Sequence, residues 1–233
     1  MKYEAKIALP LYRLIYSMLF MVIIILVRPI SSYSEIISVL ESSVALLAGV
    51  FMADNYYMEY MNDRISTYYL FPFKQKCISL LKQIVINQVY LIILIAVFYW
   101  GFALMYHPTN YSGVSIASVY IQCVCACAAS MFFMGMLCFT ATNLLRNIGI
   151  GIGFLFLLWL FLTSSITHIL PQLLQPFKLS GEVVQDGFLS PYWPSRMLYA
   201  AFAIGLMFLN LYLVNKQPDY HKKGWCKHGN KSM

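Results

Sequence analysis

"DRISTYYLFPFKQKCISLLKQI", residues 63–84, lies between two long apolar stretches. It carries one proline, five charges and a row of aromatic and aliphatic side chains. It is too polar to cross a bilayer and too apolar for a plain solvated loop. Its neighbours decide the fold class. The chain has 233 residues, 61% hydrophobic and only 11% charged, with mean hydropathy +0.69. Soluble domains average about a quarter charged residues, so a soluble globule is excluded in favour of a chain whose solvent is lipid.

Six apolar stretches of spanning length follow one another. They are Leu11–Val27, about Ile36 to Met52, Ile84 to about Tyr106, roughly Val114–Thr142, Ile148–Ile169 and Met197–Val214. About 20 apolar residues span a hydrocarbon core about 30 Å thick. The first stretch also fits a signal peptide, with Lys2 and Lys6 ahead of it. No small-residue cleavage site follows, and Arg28-Pro29 reads as an interfacial stop, so it is taken as a retained span.

Basic residues set the expected orientation, because cytoplasmic loops hold the excess. The N-terminus, the 55–83 loop, the turn at Arg146 and the tail after Val214 hold 13 of the 16. Arg28, Lys178 and Arg196 remain on the other side. Both termini are therefore expected in the cytoplasm, with residues 1–214 forming a six-span all-α domain and 215–233 a basic tail. The net charge of +7 follows from this asymmetry and from contact with anionic headgroups, without nucleic acid.

Residues 170–195 hold Leu173, Leu174, Phe177, Leu179, Val183, Val184, Phe188 and Leu189, and prolines at 171, 176, 191 and 194 cut them into short pieces. Short re-entrant or interfacial helices, with Tyr192 and Trp193 at headgroup depth, would bury these side chains.

Little in the chain suggests chemistry of its own. No GxxxxGK[ST] occurs, so ATP hydrolysis is not expected here, and "GIGIG" (149–153) reads as close helix packing. No catalytic residue and no metal site is expected. Cys123 and Cys127 share a helix face, but no His or carboxylate within a turn completes a ligand set. His107 and His168 stand singly near span ends, and His221, Cys226 and His228 lie in the solvated tail. Glu41 is the one acid expected inside the membrane. It either contacts a cationic or peptide substrate in the transport pathway or snorkels to the outer interface.

The segment from Asp54 to Ile84 reads as a helix continuing out of the second span, a turn, a short helix over Tyr68–Phe71 capped by Ser66-Thr67, a break at Pro72, and a helix entering the third span. This arrangement resembles the coupling region of type-2 ABC exporter permeases. In those proteins an acidic–Arg cluster precedes Gly-Thr, leucines, a Thr-Pro and a basic residue. Glu59 and Asp63-Arg64, Ser66-Thr67, Tyr69-Leu70, Pro72 and Lys74 match in that order, with Phe71 and Phe73 flanking the proline. A second matching patch is "LCFTATNLLRNIGIGIGFLFLLWLFL", residues 137–162. There Thr140, Thr142, Arg146, Asn147, Gly149, Gly151, Gly153 and Trp159 follow the family order. Two departures stand: no glycine precedes Thr67, and the amphipathic segment before the first span, Met1–Pro10, is short.

The resemblance implies six spans with both termini cytoplasmic, two short helices between spans 5 and 6, and pairing with a second permease subunit, identical or not. It implies that Arg64, Ser66, Thr67, Tyr69, Leu70, Phe71, Pro72, Phe73 and Lys74 dock on separate ATPase subunits, which hold ATP and Mg. The chain itself would bind no cofactor and would sit in the plasma membrane. A six-span substrate-binding component of a vitamin uptake system and a stand-alone membrane immunity protein are the alternatives.

Overall fold

The computed structural model describes residues 8–61, 72–109, 115–145, 147–164, 171, 177 and 192–216. Six helices make up nearly all of this: α1 (Leu11–Val27), α2 (Tyr33–Met61), α3 (Phe73–Tyr106), α4 (Ile116–Leu145), α5 (Ile148–Thr163) and α6 (Tyr192–Lys216). Among the described residues there is no strand, only an isolated bridge between Ser32 and Thr109 that ties the start of α2 to the end of α3.

The ends of the helices follow from local chemistry. Pro10 and Pro72 precede α1 and α3 with φ −65° and −62°. Proline fixes φ and lacks the N–H that a helix start would leave unpaired. Asn147 caps α5, its side chain accepting from the N–H of Gly149 at 2.9 Å and of Ile150 at 3.3 Å. α1 stops at Val27, where Arg28 turns extended ahead of Pro29. α3 ends on His107 at φ 46°, a left-handed cap that leaves its side chain exposed.

Helix directions can be read from paired side chains. Ser17 meets Tyr90 at 2.6 Å, and the Tyr106 hydroxyl donates to the Ile25 carbonyl at 2.6 Å, so α1 and α3 run the same way. Tyr33 lies against Tyr99 and Phe51 against Tyr90, so α2 opposes α3. α4 and α6 run with α2: Ser130 and Arg196 share one level, and Asn143 and Asn210 share another. α5 runs against them, with Trp159 on Ser42 and Leu155 beside Gly49. The six helices therefore alternate in direction.

α2 and α4 form the centre, and α1, α3, α5 and α6 surround them. The peripheral helices turn apolar stripes outward: Ile15, Leu19 and Leu26 on α1, Val85, Val89, Ile93 and Val97 on α3, and Ile204, Phe208 and Tyr212 on α6. An apolar rim around a buried polar centre defines a membrane-embedded helical protein. Among the described residues four helices are long and apolar enough to cross a bilayer: Tyr33–Ala53 within α2, Lys74–Tyr106 within α3, α4, and Tyr192–Leu213 within α6. α1 and α5 are apolar but shorter, at 17 and 16 residues.

The element boundaries sharpen the sequence reading in three places. α2 absorbs Glu41 without interruption and continues eight residues past Ala53, about 12 Å of helix. α3 begins at Phe73, directly after the break expected at Pro72, so the helix starts 11 residues ahead of the apolar stretch that opens at Ile84. α6 begins at Tyr192, drawing Tyr192–Arg196 out of the expected outer loop. Pro194 is tolerated there because the first turn needs no intrahelical N–H bond.

Candidate functional site: a buried charge cluster between three helices

Glu41 on α2 is fully buried, and its carboxylate does not snorkel. Arg196, one turn into α6, meets it with Nη2 at 2.7 Å from Oε1 and 2.9 Å from Oε2. Ser130 on α4 donates to Oε1 at 2.5 Å, and the Tyr192 hydroxyl donates to Oε2 at 2.7 Å. The Arg196 guanidinium folds back over the first residue of its own helix, 3.9 Å from the Tyr192 ring centroid, and also bonds the Tyr192 hydroxyl. Tyr192 therefore sits buried inside the bundle.

A carboxylate within a bilayer is costly unless it is paired and hydrogen-bonded. The cluster meets that need with one cation and two neutral donors from two neighbouring helices. The pairing is lopsided, however. A single guanidinium nitrogen serves both carboxylate oxygens. Among the described residues Arg196 Nε and Nη1 are buried with no hydrogen-bond partner. An Arg–carboxylate fork would normally use two nitrogens.

A second polar station lies further along the α4–α6 seam. Asn143 Nδ2 donates to Asn210 Oδ1 at 2.9 Å, and Asn210 Nδ2 donates to Thr140 at 2.8 Å and to the Leu206 carbonyl at 2.9 Å. Between the two stations the seam is apolar. Phe133 packs on Tyr199 with ring centroids 4.8 Å apart, and Met136, Phe139 and Ala203 are fully buried.

The expected docking residues fare differently. Arg64, Ser66, Thr67, Tyr69, Leu70 and Phe71 lie outside the described residues. Pro72 is the exposed N-cap of α3, Phe73 opens that helix, and Lys74 is exposed in its first turn. Cys123 and Cys127 are both buried on α4, and no group of three or more His, Cys, Asp or Glu side chains able to hold a metal occurs among the described residues.

Arg196, Ser130 and Tyr192 escaped the reading of the sequence, although one signal was present. A lone acid inside an apolar span needs a cation, and Arg196 is the only basic residue bordering an apolar span on the side poor in positive charge, apart from Arg28. Comparison with protein-family models, curated proteins and solved structures yields no match to this chain.

Proposed function

We propose that the chain is the membrane-spanning permease subunit of an ATP-driven exporter of the type-2 ABC class. It crosses the plasma membrane six times with both termini in the cytoplasm, and it works paired with a second permease subunit and two separate ATPase subunits. The observation that carries this reading is the overrun of α2 and α3. Ser17, six residues into α1, is level with Tyr90, so α3 extends roughly 11 residues, or about 16 Å, beyond the level where α1 begins. α2 overruns its apolar span by eight residues on the same side. On this reading the overrunning ends of α2 and α3 project past the apolar spans on one side, which suits docking on a protein better than anchoring in headgroups. Closure of the ATPase pair would push on the chain between α2 and α3, and α2 would carry the push to Glu41.

The test is recovery of the partner. The tagged chain, purified from its native membrane in mild detergent, should bring a nucleotide-binding subunit in equal amount, with ATP hydrolysis. The Phe71→Ala, Phe73→Ala double variant should lose it, because a docked aromatic anchor contributes at least about 2 kcal/mol, roughly thirtyfold in affinity. If the wild-type chain emerges without a nucleotide-binding subunit, the exporter reading falls. If the double variant retains the subunit in full, the docking role of residues 63–76 falls.

A further inference from the structure

We propose that Cys123 and Cys127 on α4 form a buried dithiol site that binds one soft monovalent metal ion, Cu(I), as a bis-thiolate complex. The site stands on α4 and its neighbours and does not rest on the exporter reading.

Both thiols are free and fully buried, four residues apart on one continuous helix. That spacing sets side chains one above the other, about 5–6 Å apart at Cβ. The two thiols are hydrogen-bonded to each other, whereas Cys125 between them is exposed on the other face. Two thiolates on opposite sides of one ion are the arrangement Cu(I) prefers, and thiolate and thioether ligands select it over harder ions. Met131, one further turn along the same face, is fully buried in the same cluster and adds a thioether to these soft surroundings. Zinc is disfavoured. A structural zinc takes four ligands, and no group of three His, Cys, Asp or Glu side chains able to hold a metal occurs among the described residues.

Binding exchanges two S–H bonds for two S–Cu bonds. The ion keeps its oxidation state, both thiol protons leave to the buffer, and the complex carries one negative charge. A buried negative charge needs a cation. Arg196 supplies it: the guanidinium acts electrostatically on Cys127, with Glu41 acting in the opposite sense. Arg196 Nε and Nη1 are buried without a hydrogen-bond partner among the described residues, so the guanidinium keeps donors beyond those that bond Glu41 and Tyr192. A neutral dithiol leaves this surplus unanswered. A bis-thiolate gives it a charge to balance.

The experiment uses the full chain in a neutral maltoside detergent, kept anaerobic with ascorbate, with Cys77, Cys125 and Cys226 replaced by serine. Cu(I) is delivered from bathocuproine disulfonate, a chelator whose colour reports the ion it still holds. Readings are taken at equilibrium, because both sulfurs are sealed from solvent. This chain is expected to take up one Cu(I) and to release about two protons with it. Cys123→Ala and Cys127→Ala should each weaken uptake at least about a hundredfold, since even groups that only touch a metal's ligands account for about 10–100-fold. Cys138→Ala removes the other buried thiol of α4 and should change nothing. X-ray absorption of the loaded chain should show sulfur neighbours and no nitrogen or oxygen. A reduced chain that takes up no Cu(I) overturns the site, as does full uptake by Cys127→Ala or loss of uptake in a folded Cys138→Ala variant. Uptake with nitrogen or oxygen neighbours, or without proton release, overturns it as well. If the Cys123 and Cys127 variants fail to fold, the stoichiometry, proton count and absorption spectrum of the parent chain still decide.

Discussion

At the scale of single residues, Glu41 and Arg196 are best understood as one unit. Each alone would be an uncompensated charge in a low-dielectric interior, and removing one partner of such a pair typically costs about 3–5 kcal/mol. Replacing both with apolar side chains of similar volume is often close to neutral. Arg196→Met alone is therefore expected to lower the thermal midpoint in detergent sharply, and Glu41→Leu with Arg196→Met to recover most of it. A double variant as unstable as the worse single one would show that Ser130 and Tyr192, not the ion pair, dominate the cluster. Half of this unit was legible in the sequence. Glu41 stands out as an acid in an apolar run, whereas Arg196 sits at the edge of one and reads as an outer-loop charge. Their pairing spans 155 residues of chain, and no local pattern encodes it.

At the scale of elements, glycine spacing separates a packing position from its neighbours. "GIGIG" suggested close approach by all three glycines, but among the described residues only Gly151 meets another helix. A Cβ there would lie 2.3 Å from Thr142 Oγ1 and 3.2 Å from Thr142 Cα, whereas a Cβ at Gly153 would meet nothing within 4 Å. Gly151→Ala must push α5 away from α4 and is expected to cost about 1–3 kcal/mol. Gly153→Ala is expected to be neutral or slightly stabilising, because alanine favours helix. Thermal unfolding of the two variants in one detergent checks this, and equal effects would mean that α5 does not seat on α4 through Gly151. Helix existence was legible because apolar runs of this length have few alternatives in lipid. Which face meets which neighbour was not, since α4 and α5 are apolar nearly all round and carry little periodicity. The amide station follows the same logic: Asn143→Leu removes the donor to Asn210 Oδ1 and should cost about 1 kcal/mol, in the range measured for interhelical hydrogen bonds in membranes.

At the scale of the whole molecule, the expected topology rests on basic-residue placement and on the alternation of six helices. α3 offers the cleanest test, because it has exposed residues at both ends of one continuous helix. Lys74 lies in its first turn, and Thr109 lies just beyond its left-handed cap at His107. Their separation along 34 helical residues is about 50 Å, more than a hydrocarbon core of about 30 Å. In a background with the native cysteines replaced by serine or alanine, a single cysteine at Thr109 should react with a membrane-impermeant maleimide on intact cells. A single cysteine at Lys74 should react only after permeabilisation. The tail thiol Cys226, restored alone, should behave as Lys74→Cys does, since an even number of crossings follows the N-terminus. Labelling of both α3 positions from outside would mean that this helix does not cross. Labelling of Lys74→Cys alone from outside would invert the orientation and put the α2–α3 overrun on the outer face. No ATPase could dock there, so that single outcome would remove the exporter reading while leaving the six-helix bundle and its buried ion pair intact.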